Sequence, residues 1–182
     1  LFFFLHVGAE LSFGDWIYTY AVSLELANVT TAAYLTSAFW GSITLGRLIG
    51  IPITTRIRPR TILLSSLIGS MVSVSIILVW SDLTIALWVG TIGMGLSMAS
   101  LFPSTMTFAG RRLNITGRIT GWFFIGVGAG SMALPWMIGQ VFETIGPQSM
   151  MAIIMTAILL ALVVLGILIR YRIPDTNTSS AV

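Results

Sequence analysis

Apolar runs recur six times along this chain, separated by short polar or basic connections. They occupy about residues 2–24, 34–55, 61–80, 83–108, 117–141 and 149–169. A helix of ~20 residues rises ~30 Å, the thickness of a bilayer's hydrocarbon core, so each run predicts one membrane-spanning helix. The connections carry helix-ending residues: Pro59 after the second run, Ser81-Asp82 after the third, Gly146-Pro147 after the fifth. The expectation is an all-α membrane protein, a six-transmembrane-helix bundle over residues 1–172, with a short polar tail, 173–182, of disordered composition.

Within the runs, small residues predict where helices touch. Ser42, Gly46 and Gly50 stand four apart and form a flat seam for close contact, as do Gly117/Gly121 and Gly126/Gly130. The fourth run combines Gly90, Gly93, Gly95, Ser97, Ser100 and Ser104 with Pro103, which predicts a packed, bendable helix. Serines 66, 70 and 73 interrupt an otherwise apolar third run. The sixth is nearly all Met, Ile, Leu, Val and Ala and reads as a peripheral helix facing lipid.

Composition agrees with the pattern. Of 182 residues, 56% are hydrophobic and 8% charged, and the mean hydropathy is +0.98. No soluble domain of this size needs so much apolar surface. The sequence pI near 10.0 invites a nucleic-acid reading. The nine basic residues are all arginines, however, scattered between apolar runs with no basic face, so no nucleic-acid partner is expected. The chain has no cysteine, which removes any disulfide framework or thiolate metal site.

The arginines serve topology instead. Arg56, Arg58, Arg60, Arg111, Arg112, Arg118, Arg170 and Arg172 flank connections two and four and the C-terminal end, while Glu25, Asp82 and Glu143 mark connections one, three and five. Positive charge collects on the cytoplasmic side, so both ends of this chain are expected there, in a multi-pass protein of the plasma membrane. Asn28-Val29-Thr30 has the glycosylation acceptor pattern, but reads first as an unmodified turn close to the bilayer. Leu1 is not a methionine and the chain opens inside a helix, so a piece of a longer protein is expected.

The first run carries the candidate chemistry: His6, Glu10 and Asp15 in an otherwise apolar span. Counting from Glu25 at ~1.5 Å per residue puts Asp15 about 15 Å deep, near mid-membrane, and Glu10 about 22 Å deep. An acid at mid-depth costs about 3 kcal/mol on insertion scales and normally faces a bundle interior or a watery cavity. Five residues turn the two acids about 140° apart, so they do not share a face. Arg47, nine residues from Arg56 and so about 14 Å deep, needs an acidic partner, and Asp15 or Glu10 on the preceding antiparallel helix can supply it. That pair reads either as a clamp between helices or as part of a cavity. Trp16 and Tyr20 share a face at i, i+4 and read as sugar-stacking rings or as helix packing and an interfacial belt. His6 shares a face with Glu10 and reads as a proton relay or a solvated residue near the helix end, and Gln140 as interfacial.

Particular stretches sharpen the picture. Gly8-Ala9-Glu10 and Phe13-Gly14-Asp15-Trp16-Ile17-Tyr18-Thr19-Tyr20-Ala21 resemble the seventh helix of the sodium-dependent glucose transporter branch of the major facilitator superfamily, near the fucose permeases. Ala33-Tyr34-Leu35, Phe39-Trp40-Gly41 and Gly46 to Pro52 resemble that branch's eighth helix, and Gly117 to Gly139, with Pro135, its eleventh. The resemblance implies one half of a twelve-helix major facilitator fold, with a missing N-terminal six-helix half as partner. It implies ion-coupled uptake of a hexose-type sugar by alternating access, with Na+ or H+ as coupling ion and no other cofactor. On that reading Glu10, Asp15, Trp16 and Tyr20 are the candidate substrate or coupling residues, and the first and fourth helices line the cavity.

No enzyme is expected. There is one histidine, and Gly126-Val127-Gly128-Ala129-Gly130 lies within a spanning helix, not after a strand. The alternative to a carrier is a truncated membrane scaffold that binds a partner and transports nothing.

Overall fold

A computed structural model describes residues 1–112 and 116–170 of the chain. The tail expected at 173–182, Arg172 and residues 113–115 of the fourth connection lie outside the described residues. Among the described residues every regular element is helical: α1 (Phe2–Ser23), α2 (Val29–Arg56), α3 (Pro59–Val79), α4 (Thr84–Met98), α5 (Leu101–Gly110), α6 (Gly117–Ile145) and α7 (Gln148–Arg170).

The fourth run became two elements, α4 and α5. Ala99 and Ser100 interrupt it, Ser100 sitting at φ −97°, ψ −3°. Pro103 lies four residues beyond Ala99, and its missing N–H leaves the Ala99 carbonyl without the usual helical donor. The break therefore falls one turn before the proline, as the bendable composition predicts. Counted as one broken rod, residues 84–110 bring the bundle to six rods.

The other boundaries moved little, with one informative exception. Helix α2 begins at Val29, five residues before the apolar run, because Asn28 caps it: its Oδ1 accepts from the Thr31 N–H at 2.8 Å. The tripeptide with the glycosylation pattern is thus the start of a helix.

Among the described residues, four helical stretches are long and apolar enough to cross a membrane: α3, the rod 84–110, α6 and α7. Helices α1 and α2 have 22 and 28 residues. At 1.5 Å per residue they are about 33 and 42 Å long, sufficient to span, but less apolar because they carry Glu10, Asp15 and Arg47 among serines and threonines. The polarity is concentrated in the two helices that hold the candidate site.

Helix α1 is the centre of the packing and contacts α2, α6 and α7 most extensively; α3 packs on the rod 84–110 and on α7. The small-residue seams do much of this. Along Ser42, Gly46 and Gly50, α2 meets the rod 84–110: a Cβ on Gly46 would lie 2.6 Å from Ala99 Cβ. Gly126 and Gly130 of α6 lie against Phe3 and Phe4 of α1. Gly117 and Gly121, expected to do likewise, have nothing within 4 Å among the described residues and form no seam. Helix α7 is peripheral on one face only. Leu160, Val163 and Ile167 are exposed, but Met150, Met151, Ile154, Ile158, Ala161 and Leu165 are buried in the core.

Contacts between ends sort the connections. The Thr84 hydroxyl donates to the Leu26 carbonyl (3.1 Å), joining connections one and three. At the opposite end, Arg112 Nη1 donates to the Leu168 carbonyl, joining connection four to the end of α7. The arginine-bearing segments thus gather at one end of the bundle and the acidic ones at the other.

Candidate substrate and coupling site

The site is built where α1 crosses α2. Gly14 has no side chain to hold the helices apart, so Phe39 and Trp40 of α2 press against its backbone; a Cβ there would lie 2.7 Å from Trp40 Cζ2. Phe13 packs beside it on Phe39 with ring centroids 5.0 Å apart. These contacts set the register of two antiparallel helices. Glu10 lies one turn back along α1, Arg47 two turns on along α2, and the two side chains reach each other.

Arg47 Nη2 stands 3.8 Å from Glu10 Oε1. Of the two acids expected to compete for Arg47, Glu10 is therefore its partner. The pair is asymmetric: the Glu10 side chain is 9% exposed, the Arg47 side chain 58%. Glu10 is enclosed in the bundle, and Arg47 closes it from the open side. An enclosed carboxylate is costly unless a cation stands beside it, and Arg47 supplies that cation.

Asp15 has no ion pair or hydrogen bond among the described residues and is exposed. The 140° between the acids leaves it outside the pair. Beside it, half-buried Trp16 packs on α6: its ring centroid is 5.2 Å from that of Phe142, and a Cβ on Gly139 would lie 3.3 Å from its Cζ2. Tyr20, one turn further on, is fully buried and its hydroxyl has no partner among the described residues. Asp15 is thus the exposed acid of α1, Trp16 is half-buried against α6, and Glu10 and Tyr20 are buried.

His6 is not solvated. It is fully buried, its Nδ1 lies 2.8 Å from the Phe2 carbonyl, and Phe2 and Phe3 pack on its ring. It is enclosed because Phe102 of α5 and Phe123 of α6 close around Phe3. Its Nε2 has no partner, and no hydrogen bond joins it to Glu10 among the described residues. Gln140 is exposed on α6.

Sequence reasoning missed Ser12, Thr91 and Ser104, all buried with hydroxyls that find no partner among the described residues. Polar residues in apolar helices were a visible signal, but single serines and threonines also bond routinely to their own helix, as Ser70 does to the Ser66 carbonyl at 2.9 Å. Among the described residues, no group of three or more His, Cys, Asp or Glu could hold a metal ion.

An all-helical bundle with stretches long and apolar enough to cross a membrane, and an ion pair between two of its helices, defines an integral membrane protein. The sequence profile of the Major Facilitator Superfamily matches residues 5–181, and the chain belongs to that family. It is 35% identical over 150 residues to the human major facilitator superfamily domain-containing protein 4A, covering 82% of this chain and 29% of that protein. The mouse sodium-dependent glucose transporter 1A is 36% identical over 139 residues, covering 76% and 33%. For the Xenopus laevis sodium-dependent glucose transporter 1 the figures are 38% over 143 residues, covering 78% and 29%. The chain therefore spans about a third of the length of these relatives. No solved structure matches it.

Proposed function

We propose that this chain forms one six-helix half of a secondary active transporter that takes up a hexose-type sugar, driven by Na+ or H+, by alternating access. The observation that carries the reading is the chemistry of α1 and α2: an enclosed Glu10 held by a half-open Arg47, with Asp15 unpaired and exposed nearby. Ionisable groups at such depth mark substrate or ion pathways. On this reading the open side of α1 and α2 faces a second six-helix half, and substrate binds between the two. Glu10, Asp15 and Trp16 contact the sugar or the coupling ion, Tyr20 supports them from behind, and Arg47 positions Glu10. Relatives named as sodium-dependent glucose transporters support the choice of sugar and of sodium. The arginine-rich end faces the cytoplasm, with α1 through α7 as six spans in the plasma membrane.

The test is uptake of labelled hexose by the full-length protein in liposomes, under a sodium gradient and separately under a pH gradient. Uptake driven by one gradient is expected. Glu10→Gln, Asp15→Asn and Trp16→Ala should each lower it at normal protein levels. If folded protein takes up no hexose under either gradient, the membrane-scaffold alternative prevails. If all three variants transport like the parent, α1 is structural and the site lies elsewhere.

A further inference from the structure

Trp40 stands at the open margin of the α1–α2 contact. Inside that contact Phe13 meets Phe39, with ring centroids 5.0 Å apart. One residue further round on each helix, the Trp40 ring lies on the backbone of Gly14, where a Cβ would be 2.7 Å from Cζ2 and 3.1 Å from Cε2. One residue further again on α1 comes Asp15, which is exposed. Each residue turns a helix by about 100°, so Trp40 and Asp15 lie on the same, outward side of the contact. Phe39 meets the Trp40 ring edge to face, and 37% of Trp40 stays exposed. Trp16 differs, because its ring is engaged by Phe142 and Gly139 of α6. Thr44 and Arg47 follow Trp40 by four and seven residues, so they share its side of α2 about 6 and 10 Å along the axis. Both are exposed. The Thr44 hydroxyl donates to the Trp40 carbonyl (3.0 Å), which leaves its oxygen able to accept.

We propose that Trp40 is a stacking platform for the transported sugar, holding the C–H face of a pyranose ring while Asp15 and Thr44 accept its hydroxyl protons. This rests on the transport reading and adds to it the ring that takes the carbon skeleton of the substrate. The mixture of groups selects the occupant. A lipid chain has no use for a carboxylate or a hydroxyl. A cationic amine suits the ring and Asp15 but meets the Arg47 guanidinium on the same side of α2. An anion meets Asp15. A pyranose is uncharged, with a flat apolar face for the indole and hydroxyls on its rim for the polar neighbours.

The experiment measures binding of labelled glucose to the full-length protein in detergent. The competitors are unlabelled glucose and sorbitol, its open-chain reduced form, which keeps the hydroxyls and has no ring. Glucose should compete and sorbitol should not. Trp40→Leu should weaken glucose binding about tenfold, and Trp40→Phe should restore most of it, as a merely space-filling role would not require. On the wild-type protein, saturating glucose should slow oxidation of Trp40 by N-bromosuccinimide, read by peptide mass spectrometry, and leave Trp80 at the end of α3 unchanged. Folded wild-type protein that binds no glucose would overturn the hexose reading and the platform with it. Glucose binding that survives Trp40→Leu unchanged, that yields equally to sorbitol, or that leaves Trp40 as reactive as before would overturn the platform alone. If Trp40→Leu proves unstable, the oxidation of wild-type Trp40 decides.

Discussion

Removing Arg47 should destabilise the bundle more than neutralising Glu10, although the two form one pair. Two unit charges 3.8 Å apart interact by about 1 kcal/mol in water and about 4 kcal/mol at an effective dielectric constant of 20. Arg47 is more than half exposed and Glu10 is enclosed, so an intermediate value of about 2 kcal/mol is the appropriate magnitude. Arg47→Ala forfeits that attraction and strands an enclosed carboxylate, at a cost of about 2 kcal/mol or more. Glu10→Gln forfeits the same attraction but also removes the buried charge, so its net cost should stay within about 1 kcal/mol. Once Glu10 is Gln, Arg47→Ala has no charge to strand, and the cycle should close with a coupling of about 2 kcal/mol. The measurement is reversible unfolding of the full-length protein in mixed dodecylmaltoside and dodecyl sulfate micelles, followed by tryptophan fluorescence. A coupling below about 0.5 kcal/mol, or a larger loss for Glu10→Gln than for Arg47→Ala, would refute the pairing. The parallel cycle of Asp15→Asn with Arg47→Ala should be additive, because no ion pair joins them among the described residues.

Three further outcomes are expected. Gly130→Ala would put a Cβ within 2.8 Å of the Phe4 Cα, backbone that cannot turn aside, and should cost about 1–3 kcal/mol. Gly121→Ala, with nothing within 4 Å, should be neutral or gain up to ~1 kcal/mol; equal effects at the two positions would remove the close α1–α6 contact. Asn28→Ala should cost about 1 kcal/mol through loss of the α2 cap, and Asn28→Asp should restore it, read by the same unfolding assay. Since the chain has no cysteine, single cysteines at Ile57 and Val29 report topology against a blank background. An impermeant thiol reagent on intact cells should label position 29 and spare 57, and the reverse would invert the orientation.

The number of rods and a bendable fourth run were legible in the chain itself; the break at Ala99 and Ser100 and the start of α2 at the Asn28 cap were not read from it, although both have local causes. Each follows from local physics: the length of an apolar run, a missing N–H, a capping side chain. Segregation of arginines from acids was equally legible, because charge avoids hydrocarbon wherever the helices pack. The seams were half legible. Gly126/Gly130 and Gly117/Gly121 have the same spacing, and only the position of α1 decides that the first is used. In a bilayer, moreover, a core-facing residue and a lipid-facing one are equally apolar, so the pattern along α7 carries no contrast to reveal its buried stripe. The same blindness hid the burial of His6 and Tyr20, which depends on neighbours far along the chain closing over them. Depth along a helix could nominate both Asp15 and Glu10 for Arg47 but could not choose between them. That choice belongs to the tertiary structure: Gly14 lets α1 rest on Phe39 and Trp40, and the register so fixed brings Glu10 to Arg47 and leaves Asp15 exposed and unpaired.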